Sequence, residues 1–322
     1  MTVEVSVIIP TFNRRAMVRE AVESVLAQTG ASFELIVVDD GSTDGTSEEL
    51  SKIPDDRMRV ERIANSGPAA ARNRGVAIAR APMIAFLDSD DLWKKQKLER
   101  QLAFMRANPD CAISQTNELW LRNGRRVNPG LRHRKRAGDF FLESLRTCLI
   151  SPSAVIMRAE LFRSHAGFDE LMIAAEDYDL WLRISMVVEV GLLDQPLVTR
   201  RGGHPDQLSA RTSAIDRFRI LALAKLLTDA RLTGERRTAT ADVLAEKCGI
   251  YAGGLRRRGK IEQANFYEDL REHALATEKD QPGGEIARAV EVMRTMLADK
   301  PGTEHSAILG EAKNPDSRIN AT

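Results

Sequence analysis

Met83-Ile84-Ala85-Phe86-Leu87-Asp88-Ser89-Asp90-Asp91 joins a short apolar run to three carboxylates within four positions. Pro82 before the run and the acids after it bound a strand buried on both faces. The acids then fall at the carboxyl end of that strand, the edge where open α/β sheets bind ligands. Carboxylates held this close repel one another, so the arrangement is unfavourable unless a cation lies among them. Oxygen ligands on a loop suit a hard divalent ion, Mn2+ or Mg2+. Read alone, the same acids also suit a solvated turn capping a helix that starts near Trp93.

Working outward, residues 3–9 form a β-rich run closed by Pro10, and residues 14–28 place Val18, Ala21, Val22, Val25 and Leu26 on one helical face. Residues 33–38 give a second strand, which also ends in acids, Asp39-Asp40. Gly41 to Thr46 is turn chemistry leading into a short helix with Glu48 and Glu49 in its first turn. A third strand over 58–63 and a small-residue helix over 66–79 precede the organising strand. Strand–helix alternation of this kind predicts a parallel, doubly wound α/β sheet. Neither a Gly-x-Gly-x-x-Gly after the first strand nor a Gly-Lys-Ser/Thr loop is present, so phosphates are expected to be held through a metal ion instead of a glycine cradle.

Beyond Asp91 the pattern predicts a helix over 94–107 and a strand over 112–121 carrying Trp120. A basic stretch follows, with Arg122, Arg125, Arg126, Arg132, His133, Arg134, Lys135 and Arg136 broken by Asn128-Pro129-Gly130. It reads either as a solvated loop or as a mobile arm meeting an anionic acceptor or lipid phosphate. Helices near 139–148 and 159–165, with a strand near 153–158 between them, lead to Gly167-Phe168-Asp169-Glu170. Glu176-Asp177 opens an amphipathic helix, where acids also suit the helix dipole. Short strands at 190–193 and 197–200 precede Arg201-Gly202-Gly203-His204-Pro205, a backbone-permissive loop with a lone histidine.

After Gln207 the periodicity turns helical, over 215–229, 235–248, 255–278 and 285–298. This divides the chain into residues 1–209, a helical accessory region over 210–299 and a weakly apolar tail over 300–322, expected to be disordered. With 322 residues, 43% hydrophobic content and a formal charge of +1, overall charge does not point to nucleic acid or membrane. Three widely spaced cysteines make neither a disulfide framework nor a zinc site. No run approaches the roughly 18 apolar residues of a membrane span, and the short stretch before the first strand leads to the expectation of no signal peptide. The expectation is a cytoplasmic protein, with peripheral contact to the inner face of the membrane compatible with the basic stretch.

Four motifs together carry a family resemblance: Val5-Ser6-Val7-Ile8-Ile9-Pro10-Thr11-Phe12-Asn13, Val37-Val38-Asp39-Asp40-Gly41-Ser42-Thr43-Asp44, Asn65-Ser66-Gly67-Pro68 through Ala71-Arg72-Asn73-Arg74-Gly75, and Phe86-Leu87-Asp88-Ser89-Asp90-Asp91. In this order and spacing, residues 3–209 resemble a family-two glycosyltransferase of the A-type (GT-A) fold; Gly167, Glu176-Asp177 and His204 extend the resemblance. The resemblance implies a nucleotide-sugar donor, usually a uridine diphosphate sugar, bound across the carboxyl edge of the sheet. Pro10, Thr11, Asp39 and Asp40 would meet base and ribose, with Asn65 and Arg72 near the nucleotide or its phosphates. Asp88 and Ser89 would complete the donor site. Asp90 would ligate the metal, with His204 as a further ligand. Asp177 would be the general base, and Glu176 would orient it or bind the acceptor sugar. One base opposite the leaving group implies single displacement and inversion.

A sugar nucleotidylyltransferase shares the sheet and the acidic metal site, but it wants a glycine-rich basic loop where Pro10-Thr11-Phe12-Asn13 stands. A degenerate module that holds nucleotide or glycan without turnover is the other alternative. The acceptor class, a glycan or a lipid-linked sugar, is not fixed by any motif.

Overall fold

A computed structural model of the chain describes residues 2–203, 215–276 and 284–298. Its first half is built from β1 (Val5–Thr11), α1 (Arg15–Leu26), β2 (Phe33–Asp39), α2 (Thr46–Leu50), β3 (Met58–Arg62), α3 (Pro68–Ala77) and β4 (Met83–Phe86). These four strands are parallel in the order β3-β2-β1-β4. Every residue of β1 and β2 is buried, because helices cover both faces of a parallel sheet. Val5, Val7 and Ile9 join a core with Val18, Val22 and Val25 of α1, whereas Ile8 between them joins Ala69 and Val76 of α3 on the opposite face. The mid-helix Gly75 has a packing reason: a Cβ there would lie 2.5 Å from Ile8 Cγ2, so only glycine lets α3 approach β1 this closely.

The second half adds β5 (Leu92–Trp93), α4 (Lys97–Ala107), β6 (Ile113–Arg122), β7 (Arg125–Val127), α5 (Phe141–Ser144), β8 (Val155–Arg158), α6 (Ala159–Ser164), α7 (Glu176–Ser185) and β9 (Gly191–Gly202). The complete order is β3-β2-β1-β4-β8-β6-β9-β5, with β7 hung on β6. Strand β8 runs antiparallel to both β4 and β6, while β9 runs parallel to β6. The carboxyl ends of β6 and β9 therefore emerge at the same edge as the acidic end of β4.

Three differences from the sequence expectation have local causes. The two short strands expected at 190–193 and 197–200 are one strand, β9, because register shifts around Asn117 let β6 follow it past Pro196. The stretch after Leu121 is a hairpin, since Asn123 (φ 50) and Gly124 (φ 73) form a two-residue turn between β6 and β7. The helix expected to stop at Cys248 runs on through its glycines, with Ala252 and Leu255 buried, and stops before Gly259 (φ 72).

The C-terminal helices are α8 (Asp216–Leu227), α9 (Gly234–Arg257), α10 (Ile261–Ala276) and α11 (Gly284–Ala298). Their apolar faces form one core with Phe141, Leu145, Met172, Tyr178 and Leu182. Helix α7 thus packs against the helical region as well as the sheet. Lys225 of α8 donates to Asp169 at 2.7 Å and lies 2.8 Å from Asp179, and Arg294 of α11 reaches the same Asp169 oxygen at 2.7 Å. The expected tail and His204 lie outside the described residues. No helix among the described residues is long and apolar enough to cross a membrane, and their three cysteines are unbridged.

Candidate active site

At the ends of β1 and β2 the main chain does the positioning. Pro10 and Thr11 are buried at the β1 terminus, and the Asp40 N–H donates to the Thr11 carbonyl at 2.9 Å. Asp39 Oδ1 accepts the Ser42 N–H at 2.9 Å and its Oδ2 accepts the Ser47 hydroxyl, so this carboxylate shapes the loop into α2. Asp40 accepts the Ser66 N–H at 2.7 Å and the Gly67 N–H at 2.8 Å, directly ahead of α3. Burial nevertheless pushes the Asp40 carboxyl up to about 6, against those two N–H donors and assisted by Asp39. Asn65 is fixed by donating from Nδ2 to the Asp40 carbonyl at 3.0 Å. Among the described residues Thr11 Oγ1, Asn65 Oδ1 and Arg72 Nε are buried without a hydrogen-bond partner. Unpaired buried polar atoms are unfavourable, and their grouping on segments that border one sheet edge is what a polar ligand would resolve.

The acidic turn after β4 is cross-braced. The Asp88 N–H donates to Ser153 Oγ at 3.1 Å, and that hydroxyl donates to Asp91 Oδ2 at 2.7 Å. Asp91 Oδ1 accepts the Arg201 N–H at 2.9 Å, and the Arg201 side chain reaches the Asp90 carbonyl, tying β9 to the turn. Ser89 is buried within the turn, and Asp90 Oδ2 lies 3.6 Å from Arg14. Asp88, Asp90 and Asp91 each offer an oxygen, all within 4.8 Å of one another. Burial, followed by the Asp90 and Asp88 charges, raises the Asp91 carboxyl well above the usual carboxylate range. An all-oxygen donor set under mutual repulsion fits a hard divalent cation. Asp91 stands in this group with Asp88 and Asp90, whereas the resemblance assigned the metal to Asp90 with His204 and placed Asp88 in the donor site.

The second acidic segment opens α7. Ala175 ahead of it holds φ 58, a left-handed conformation that is uncommon for a residue with a Cβ and concentrates at functional sites. Glu176 is buried and accepts from Arg72 Nη1 at 2.7 Å; the same guanidinium donates from Nη2 to Asp88 Oδ1, also at 2.7 Å. One arginine on α3 therefore joins the turn after β4 to the start of α7. Burial drives the Glu176 carboxyl up to about 6, with Arg72 opposing. Asp177, half-buried, accepts its neighbour's Tyr178 N–H at 2.7 Å and lies 3.7 Å from Cys148 Sγ. Burial, then the Asp177 charge, pushes the Cys148 thiol far up, so it stays neutral beside that carboxylate.

A third group was not singled out from sequence. Glu118 and Lys135 are inward-facing and 3.4 Å apart, and Lys135 Nζ also donates to the Leu149 carbonyl at 3.2 Å. Arg200 stacks on Trp120 at 4.8 Å, and His133 packs on the same ring at 5.3 Å. Burial disfavours the Arg200 charge, but Glu118, Asp91, Asp88 and Asp177 outweigh it and raise its pKa. Arg200 thus lies in the field of both acidic segments. The basic stretch is therefore not uniformly solvated: Lys135 turns inward and Arg136 pairs with Glu143 at 3.1 Å. The available signal was Glu118, the last acid before Asp139 in a stretch crowded with arginines.

A parallel half-sheet ending in carboxylates, continued by an antiparallel β8 and a parallel β6–β9 pair, is the A-type glycosyltransferase (GT-A) fold. It is shared with S. aureus TarS 1–349 in complex with UDP, with a TM-score of 0.62 over 92% of both chains at 22% identity. Residues 6–165 match Glycosyl transferase family 2. The UDP-Glc:alpha-D-GlcNAc-diphosphoundecaprenol beta-1,3-glucosyltransferase WfgD of Escherichia coli is 33% identical over 183 residues, 56% of this chain and 69% of WfgD. An uncharacterized glycosyltransferase of Rickettsia felis is 40% identical over 196 residues, 60% of this chain. The chain covers only 32% of that rickettsial protein. On these matches the chain belongs to glycosyl transferase family 2.

Proposed function

We propose that the chain is an inverting, metal-dependent glycosyltransferase that moves a sugar from a uridine diphosphate donor to a hydroxyl of a glycan or lipid-linked acceptor. The observation that carries the reading is the Arg72 bridge, which brings Asp88 and Glu176 onto one guanidinium from opposite halves of the fold. The uridine assignment is supported by the UDP bound to TarS and the UDP-glucose named for WfgD, and the lipid-linked acceptor by the diphosphoundecaprenol named for WfgD. Residues 1–209 would form the catalytic unit, with the helices over 210–299 bracing α7.

Thr11, Asn65 and the edge shaped by Asp39 and Asp40 would receive base and ribose, their unpaired oxygens finding partners there. Asp88, Asp90 and Asp91 would hold Mn2+ or Mg2+, with His204 as a proposed further ligand. The bound ion would offset the charge developing on the diphosphate leaving group, an effect worth several kcal/mol. Asp177 would take the proton from the attacking hydroxyl, a contribution of about 10²–10⁴-fold. Glu176, locked to Arg72, would fix the start of α7 so that Asp177 presents one lone pair to the acceptor. With Glu176 held by Arg72 and the turn carboxylates grouped as the ligands of the cation, Asp177 would act as the one base opposite the leaving group, which supports direct displacement, hence inversion at the anomeric carbon.

A thermal-shift panel of nucleotides and nucleotide sugars with and without Mn2+ tests the donor class. Uridine diphosphate compounds are expected to raise the melting temperature only with the cation, by an amount that grows with ligand excess; about 100 Kd of ligand corresponds to roughly 2.7 kcal/mol. No stabilisation by any uridine nucleotide, with cation present, would remove the donor assignment.

A further inference from the structure

The far end of β6 does work that the sugar-transfer reading does not require. Gln115 pairs with Val155 of β8, but from Asn117 to Arg122 the strand leaves β8 behind and pairs with β9, joined from Trp120 onward by β7. By register Leu121 is level with Arg201, whose N–H holds Asp91 at 2.9 Å, so the hairpin tip projects just past the acidic turn. That tip is cationic. Arg122 and Arg125 sit directly opposite each other across the hairpin, and Arg126, next along β7 and paired with Leu121, adds a cation on the other face. Like charges facing across strands are destabilising. Among the described residues, no carboxylate pairs with Arg122, Arg125, Arg126 or Arg134, whereas in the same segment the inward Lys135 is matched by Glu118 and the exposed Arg136 by Glu143. Between the two sets of arginines, Leu131 is 87% exposed in a single 3-10 turn. The turn is anchored from behind, where His133 packs on Trp120.

We propose that this hairpin and the 128–134 loop dock on a bilayer surface bearing anionic headgroups, with Leu131 entering the headgroup layer and the arginines facing phosphates. Charge complementarity selects an anionic partner, because only anions relieve the facing arginines. Leu131 selects a bilayer over a hydrated polyanion, since an apolar side chain thrust out among cations gains only where there is an apolar layer to enter. Trp120 ties the surface to the site: its ring carries Arg200, which lies in the field of Asp88, Asp91 and Asp177. On the transferase reading, docking here would set the acceptor side of the site against the membrane. The docking itself stands independently of that reading.

The test is co-sedimentation of the full chain with vesicles of phosphatidylcholine alone or mixed with phosphatidylglycerol, at low and high salt. Binding is expected only to the anionic vesicles and is expected to weaken with salt. Arg125→Glu with Arg126→Glu should lower the partition by roughly fivefold or more per residue, and Leu131→Ser should lower it with the charge unchanged. All three side chains are solvent-facing, so the variants should keep the wild-type melting temperature and its nucleotide-induced shift. That shift reports on donor binding separately from docking. Absence of binding, equal binding to neutral vesicles, or wild-type partition of either variant would overturn the proposal. So would full competition by a soluble polyanion combined with no effect of Leu131→Ser, which would make the surface a polysaccharide contact instead.

Discussion

The two halves of the sheet hold their carboxylates by different means. At β1 and β2, Asp39 and Asp40 are gripped mainly by main-chain N–H groups and a hydroxyl from nearby loops. Beyond β4, Asp91 and Asp177 still accept main-chain N–H groups, but the acids that join elements are held by cations: Asp88 and Glu176 by Arg72, Glu118 by Lys135, and Asp169 by Lys225 and Arg294. Main-chain clasps follow from loop conformation and survive most substitutions nearby. Side-chain clasps depend on a single partner whose removal leaves a buried charge behind. The donor edge should accordingly be robust and the region around α7 brittle.

The sharpest way to break this contrast is Arg72→Ala, which strands Glu176 in the interior and frees Asp88. Removing one partner of a buried pair costs about 3–5 kcal/mol, so chemical denaturation should show a loss near the lower end, because Asp88 is partly solvated. Arg72→Lys should recover only part, since one ammonium cannot span both carboxylates as the guanidinium fork does. A smaller effect is expected at Gly75→Ala, where the added methyl meets Ile8 and overpacking costs about 1–3 kcal/mol by the same measurement.

Most informative about the main-chain clasp is Asp40→Asn. The folded-state carboxyl is raised from 3.8 to about 6, so the folded protein keeps this proton to higher pH than the unfolded chain. Its stabilising contribution is full below pH 3.8 and is lost as pH rises through about 6. Melting temperature measured across that interval should fall less steeply in Asp40→Asn than in the wild type. Equal slopes would show that Asp40 is not the group titrating there.

What was legible in the sequence follows the same division. Pro10, Asp39-Asp40 and Asp88 to Asp91 announce themselves because strand ends, turns and caps are local in sequence. The parallel half of the sheet and the GT-A resemblance were therefore readable, as was Glu176-Asp177 at a helix start. The Arg72 bridge was not, since it links residues 104 positions apart on one side and 16 on the other. Nor was the inward turn of Lys135 among its exposed neighbours, where a run of like residues gives no period to separate an inner face from an outer one. The β6–β7 hairpin is a different case: Asn123-Gly124 is a strong turn signal, and the surrounding arginines masked the short strand after it.

The central claim is that the turn after β4 and the start of α7 form one reaction centre in which Asp177 removes the acceptor proton. It is tested most directly by comparing Asp177→Asn with the wild type in two assays: the rate of sugar transfer, and uridine diphosphate affinity by calorimetry with Mn2+ present. The account predicts a rate lower by about 10²–10⁴-fold with affinity changed by no more than a few fold. Near-normal transfer by the variant would contradict it.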